Sequence, residues 1–274
     1  MFTELSSTGN PKIKELLLLA KKSKERRESG LFVVEGVREI RAAVMGGYRV
    51  HSIFFAPSIA GEERIEEIPA RHYYLLTKEL YSKIAYRAGT EGVVAIIEQK
   101  RAALSDIKLS PAALIVVLEG VEKPGNLGAV IRSADGVNAD AVIVCDPLTD
   151  VYNPNVIRSS LGGVFTRIVC IADSEDTYKW LKEKHIQIYT AELQASEWYY
   201  NCDFTGASAI VLGSEADGLK PFWRERADRR LKIPMYGEAD SLNLSVSAAV
   251  ICYEALRQRA GRENLRAGEN LSKE

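Results

Sequence analysis

Apolar residues along this chain keep two rhythms: runs of about four to eight aliphatic and β-branched residues, and longer stretches with helical spacing. Residues 10–27, NPKIKELLLLAKKSKERR, have the second rhythm, with the leucines at 16 to 19 forming the apolar face of a predicted helix. The strand-length segments LFVVEGVREIRAAV, RVHSIFFAP, RHYYLLT and GVVAIIEQK follow, with a helical stretch from Thr77 to Ala88. Together they predict a small α/β unit ending near residue 100. The polar run KRAALSDIKLSPAA, which carries Pro111, breaks the pattern and marks a linker. Domains are therefore expected at residues 1–105 and 106–274.

From residue 113 the alternation becomes regular. Strands ALIVVLEG, DAVIVCD, VFTRIVCI, IQIYTAEL, ASAIVLGSE and RRLKIPM are interleaved with helices starting at Leu127 and Pro154 and with the helix SEDTYKWLKEKH. A last helix is expected from about Ser245 to Arg259. Near-continuous apolar strands that alternate with helices predict an α/β fold, a mostly parallel sheet covered on both faces. The tail AGRENLRAGENLSKE has almost no apolar residues and is expected to fray.

Charge narrows the partners. The 274 residues hold 36 Lys and Arg against 37 Asp and Glu, so the whole molecule has no net attraction for nucleic acid or an anionic membrane. RNA or DNA would have to meet local patches. Residues 10–27 hold one such patch, seven basic residues that include Lys21, Lys22, Arg26 and Arg27. It reads either as the solvated face of a packing helix or as a phosphate-contacting surface. The run WRERADRRLK at 223–232 is a second basic surface, with Trp223 either a core residue or a stacking platform. No apolar stretch approaches the roughly 20 residues that span a bilayer, and no small-residue cleavage site follows the first apolar run, so a cytoplasmic protein is expected. Cys145, Cys170, Cys202 and Cys252 are scattered, as are His51, His72 and His185, which argues for buried thiols and against a metal site.

A parallel sheet with glycine-rich turns first suggests dinucleotide binding. No G-x-G-x-x-G follows a strand, however, and neither a P-loop nor G-x-S-x-G nor H-E-x-x-H occurs. Glycine, asparagine and proline gather instead after three strands, in EGVEKPGNLGAVIRSADG, VLGSEADGLKP and IPMYGEADSLNLSVSAAVICYEAL. Ligands of parallel α/β sheets bind at such carboxyl ends. The first segment places Asn126 and Gly128 in a turn, with Arg132 one helical turn beyond. In the second, Gly213 would let a planar ligand lie against bare backbone. In the third, Ser241 or Asn243 could cap the small-residue helix that follows. Taken singly, each segment also reads as an ordinary turn.

Taken together, in order and spacing, the three segments resemble the motifs of the SpoU, or TrmH, family of RNA ribose 2′-O-methyltransferases. Asn126, Gly128 and Arg132 match N-x-G-x-x-x-R; Gly213, Glu215, Gly218 and Leu219 match G-x-E-x-x-G-L; Ile233 to Asn243 match I-P-M-x-G-x-x-x-S-L-N. The stretches NPKIK, GLFVVEGVREI and EGVVAII are similar to the family's N-terminal substrate-binding domain, so the resemblance spans about residues 3–260. Thr90-Glu91 departs from it, and Arg158, Ser159, Ser160, Gly162 and Gly163 resemble a further family stretch with either a packing or a catalytic role. The resemblance implies a C-terminal trefoil knot, S-adenosylmethionine as cofactor, no metal, and a homodimer that assembles the site. Leu212, Gly213, Ile233, Met235 and Leu242 are the expected cofactor contacts. Arg132 is the expected activator, as a base or as a phosphate clamp, with Asn126, Glu215, Ser241 and Asn243 positioning the reactants. The expected substrate is ribosomal (23S) RNA, the alternatives being tRNA or a non-catalytic RNA-binding, ribosome-assembly role.

Overall fold

The computed structural model describes residues 2–61, 65–85, 91–195 and 197–271, with side chains described to residue 260. The chain divides into two compact units, one of residues up to 100 together with 150–166, the other of 101–149 with the remainder from 167. The segment 150–166, expected in the second domain, thus packs within the first unit.

The first unit opens with β1 (Phe2–Leu5) and α1 (Pro11–Lys21). Asn10 accepts a hydrogen bond from the Lys12 amide (2.9 Å), and Pro11 occupies the first helical position, where no N–H is needed. The single helix expected over residues 10–27 is in fact two. Lys22 takes an extended backbone, and α2 (Ser23–Ser29) runs from there to Gly30 at φ +68°. The break has a physical reason: Arg26 turns inward, only 1% exposed, where its Nε donates to Asp150 (2.6 Å) and its Nη1 to the Leu19 carbonyl (2.6 Å). Arg26 therefore leaves the basic patch.

There follow β2 (Leu31–Glu35), α3 (Val37–Met45), β3 (Val50–Phe55), α4 (Pro57–Ala60), β4 (Ala70–Leu76), α5 (Lys78–Ile84) and β5 (Val93–Glu98). The strands form one sheet in the order β1-β4-β3-β5-β2, in which β5 runs antiparallel to both of its neighbours. Ile13, Leu16 and Leu19 of α1 bury their side chains against Phe54, Tyr74 and Ile96, while Leu18 faces outward as helical spacing requires. β1 carries no legible pattern because three of its four residues are exposed. Thr77 caps α5, which ends at Ile84; the expected extension through residues 86–88 and the Thr90 departure lie outside the described residues.

The second unit starts with β6 (Leu114–Glu119), α6 (Pro124–Gly136) and β7 (Ala141–Cys145). The chain then contributes α7 (Pro154–Ser159) and α8 (Gly163–Thr166) to the first unit. Residues 164–166, expected to begin a strand, are helical: Gly162 at φ +83° turns the chain, and the Phe165 carbonyl sits where a Cβ on Gly46 would stand 2.2 Å away. Next come β8 (Ile168–Ala172), α9 (Ser174–Glu183), β9 (Gln187–Ala191), β10 (Glu197–Trp198), β11 (Ser208–Leu212), α10 (Pro221–Arg226), β12 (Arg229–Lys232) and α11 (Leu244–Leu271).

Seven strands in the order β10-β12-β9-β11-β6-β7-β8 pair in parallel throughout. Ile115, Val117, Ile143 and Val211 fill one core together with Trp223, which is fully buried and donates from its indole to Ser174 Oγ (3.1 Å). Trp223 is a core residue, not a platform. α11 continues past Arg259 to Leu271, because Arg, Glu, Ala and Leu propagate a helix that packing has already nucleated. Among the described residues no helix is long and apolar enough to cross a membrane.

Candidate active site

The carboxyl ends of β9, β11 and β12 border a cavity of about 530 Å³. Leu212 ends β11, and at Gly213 the chain turns so that Ser214 and Gly218 exchange backbone hydrogen bonds, both 3.1 Å. Gly218 takes φ +68°, and a Cβ on Gly213 would stand 2.1 Å from the Gly218 carbonyl carbon. The room that glycine makes at 213 is filled by the chain's own backbone, not only offered to a ligand. Leu212, Ile233, Met235 and Leu242 give the cavity its apolar walls beside Gly213. Residues 235–242 belong to no strand or helix, so a ladder does not consume their amides and carbonyls.

Three expected site residues form one chain of hydrogen bonds. Asn126 lies in the first turn of α6, which begins at Pro124 and not at Leu127, and donates from Nδ2 to Glu215 Oε1. Asn243 donates from Nδ2 to Asn126 Oδ1 (3.3 Å). Its own Oδ1 accepts from the amide (2.9 Å) and hydroxyl (2.7 Å) of Ser245. Asn243 is therefore the helix cap, and Ser241, exposed at the cavity wall, donates to Asp240 Oδ1 (3.0 Å). Glu215 Oε2 is buried and has no partner among the described residues. A buried carboxylate oxygen without a donor is costly, and this one retains an open acceptor position.

Arg132 stands apart. Six residues along α6 from Asn126, it is exposed, does not line the cavity and pairs with no described carboxylate. Of the further family stretch, Arg158 is exposed, whereas Ser160 is buried, donating to the Ile157 carbonyl (2.8 Å) and accepting from the Val164 amide (3.4 Å). Ser160 has a packing role. Glu91 Oε2 accepts from the Val37 amide (2.6 Å), supplying α3 with the cap that Gly36 cannot.

Sequence reasoning missed a polar cluster behind the site. Glu119, 2% exposed at the end of β6, accepts from the Lys220 amide (2.8 Å) and from Ser174 Oγ (3.5 Å), tying down the turn that follows Gly213. Burial pushes its carboxyl above the ordinary range. The one signal was a carboxylate ending an otherwise apolar strand. All four cysteines are free and buried; desolvation raises Cys145, Cys202 and Cys252 to about 12 and Cys170 to about 11, so they are poor nucleophiles.

Comparison with known proteins identifies the family. Residues 113–253 match the SpoU rRNA Methylase family and residues 10–95 the MRM3-like substrate binding domain. The 23S rRNA (uridine(2479)-2′-O)-methyltransferase of Streptomyces viridochromogenes is 31% identical over 268 residues, covering 92% of each chain. The 23S rRNA (guanosine(2553)-2′-O)-methyltransferase RlmP of Bacillus subtilis is 27% identical, covering 91% of this chain and 98% of its own. Among solved structures, the SpoU methyltransferase AviRb from S. viridochromogenes in complex with AdoMet superposes with a TM-score of 0.84 at 28% identity, over 92% of this chain and 98% of the other. With a family model matching residues 113–253 and a 31% identical relative matched over 92% of its length, this chain belongs to the SpoU rRNA methylase family.

Proposed function

We propose that the chain is an S-adenosylmethionine-dependent RNA ribose 2′-O-methyltransferase that acts on 23S ribosomal RNA in the cytoplasm. The observation that carries this reading is the chain Asn243–Asn126–Glu215, with a partnerless carboxylate oxygen, beside the cavity that the second and third motifs line. The cavity's volume falls within the range of small-molecule sites. Leu212, Ile233 and Leu242 offer apolar faces to an adenine, the ladder-free backbone at 235–242 offers donors and acceptors to its edge, and Met235 completes the wall.

Bound S-adenosylmethionine supplies an electrophilic methyl group. A neutral 2′-hydroxyl attacks it poorly until its proton is shared or lost. Glu215 Oε2 is the acceptor that can orient this hydroxyl, and Asn126 holds the other carboxylate oxygen so that the open one keeps its aim. Asn243 fixes Asn126, and Ser241 lines the cavity wall. Arginine stays protonated in ordinary protein surroundings, so the role that fits Arg132 is a cationic clamp on the adjacent phosphate that also stabilises the developing alkoxide. The reaction so written needs no metal.

Because Arg132 lies away from its own chain's cavity, we assign it to the cavity of a second copy. Support comes from α11, where Val246, Tyr253 and Leu256 leave an exposed apolar stripe, and Tyr253 packs close to Gly136 of α6. The trefoil knot belongs to the same reading, as does the division along the chain into a substrate-binding domain at 1–105 and a methyltransferase domain at 106–274, the latter lending its segment 150–166 to the first compact unit. In a methyl-transfer assay, Arg132→Ala and Glu215→Ala should each abolish turnover, the first leaving cofactor affinity within a few fold. Mixing the two inactive proteins under subunit exchange should restore part of the activity. Retained turnover in Arg132→Ala would remove this residue from the mechanism, and a mixture that stays inactive would contradict the shared site.

A further inference from the structure

The edge of the second sheet carries an aromatic column that neither the cavity nor the cores account for. Trp198 on β10 lies in register with Lys232 on β12, so the two side chains share one face of the sheet, and Arg230, two residues earlier, shares it too. Lys232 Nζ stands 4.6 Å from the centroid of the Trp198 ring. Tyr200 lies near-parallel to Trp198, with centroids 6.4 Å apart and planes at 21°, and Tyr199 meets Tyr200 edge-on at 5.2 Å. The column is open, since Tyr200 is 45% exposed.

Its charge is uncompensated. Arg229, on the opposite face, is engaged by Glu197 at 3.4 Å, and Arg224 by Glu192 at 3.0 Å. Arg230 and Lys232 pair with no carboxylate among the described residues. Lys232 also lines the cavity, so the aromatic face runs directly into the candidate active site. Stacked aromatic rings beside unpaired cations, leading into a catalytic cavity, fit unpaired bases on a phosphate backbone; an apolar protein surface would leave both cations without partners.

We propose that Trp198, Tyr200, Arg230 and Lys232 form a stacking platform for the single-stranded RNA that flanks the methylated nucleotide. The proposal rests on the methyltransferase reading and adds to it the surface that holds the substrate next to the reacting ribose. Base stacking on the Tyr200 ring is sequence-tolerant, while the two cations hold successive phosphates.

The test is a titration of the full-length protein with a twelve-nucleotide oligouridylate, followed by indole fluorescence. Trp180 and Trp223 are buried, so quenching reports Trp198. Quenching is expected in the wild type and not in Trp198→Phe, which keeps a ring and should still bind. Tyr200→Ala should weaken binding by roughly 5- to 150-fold, with recovery in Tyr200→Phe. Arg230→Ala should reduce the slope of log K against log salt by about one phosphate's worth. Cofactor binding should be unchanged in Tyr200→Ala, because Tyr200 lies outside the cavity. Unchanged oligouridylate binding in Tyr200→Ala and Arg230→Ala, with wild-type methyl transfer intact, overturns the platform and leaves the methyltransferase reading standing. A wild type that transfers methyl to no RNA overturns that reading and this proposal with it.

Discussion

Asn243 and Asn126 join two motifs that lie 117 residues apart in the chain. The Asn243 amide group donates to Asn126 while its oxygen caps α11, so one side chain both starts a helix and sets the geometry of the site. Asn243→Asp separates the two roles. It should keep the cap and near-wild-type stability yet lose the donor, lowering the methyl-transfer rate at least about tenfold, since a misplaced positioning group costs up to 10²-fold. Asn243→Ala loses both, and its melting should show a further cost on the order of 1 kcal/mol.

Gly213→Ala is expected to damage cofactor binding through backbone displacement. Its Cβ would stand 2.1 Å from the Gly218 carbonyl carbon, and backbone cannot swing aside as a flexible side chain can. Calorimetric titration with S-adenosylmethionine should show an affinity loss of about tenfold or more, in a protein whose first unit still melts normally. Undiminished affinity would mean that the 214–218 turn shifts freely.

Arg26 and its basic neighbours should behave oppositely. Arg26→Ala leaves Asp150 without its partner and should destabilise the protein by about 3 to 5 kcal/mol, the usual cost of breaking a buried ion pair. Replacing exposed Lys21, Lys22 and Arg27 together should leave thermal stability nearly unchanged and lower RNA affinity, flattening its salt dependence. If affinity and salt slope do not move, the α1–α2 surface is a solvated helix face only.

Glu119 makes a prediction with a definite sign. Its folded pKa is raised above the ordinary 4.5, so the native state keeps a proton that the unfolded chain has released. That contribution to stability is present below pH 4.5 and is lost as pH rises through the folded value. Glu119→Gln keeps an acceptor for the Lys220 amide and has no charge to bury. Thermal melts should show the variant gaining on wild type at pH 8 and matching it near pH 4. Equal curves at both would mean that the Lys220 amide and Ser174 fully offset the burial.

The parallel sheet was legible because its strands are apolar on both faces, and the site was legible because three glycine- and asparagine-rich turns follow such strands. What escaped had no local pattern. β10 is two residues long, and β1 is mostly exposed. The inward turn of Arg26 depends on Asp150, 124 residues away, and no helical periodicity signals a buried cation. Residues 150–166 read as a helix from Pro154 and the start of a strand in the alternating domain, yet tertiary packing places them with the first unit. The separation of Arg132 from Asn126 follows from α6 starting at Pro124: with both residues inside one helix, six positions turn them roughly 120° apart.

The most direct measurement is transfer of labelled methyl from S-adenosylmethionine to 23S rRNA and, separately, to tRNA, both prepared from cells lacking this protein, followed by alkaline hydrolysis. A 2′-O-methyl group blocks cleavage at its own phosphodiester, so the expected result is label in one alkali-resistant dinucleotide of 23S rRNA, and none with Arg132→Ala. Label recovered in alkali-sensitive mononucleotides would place the methyl on a base and contradict the account, as would label confined to tRNA.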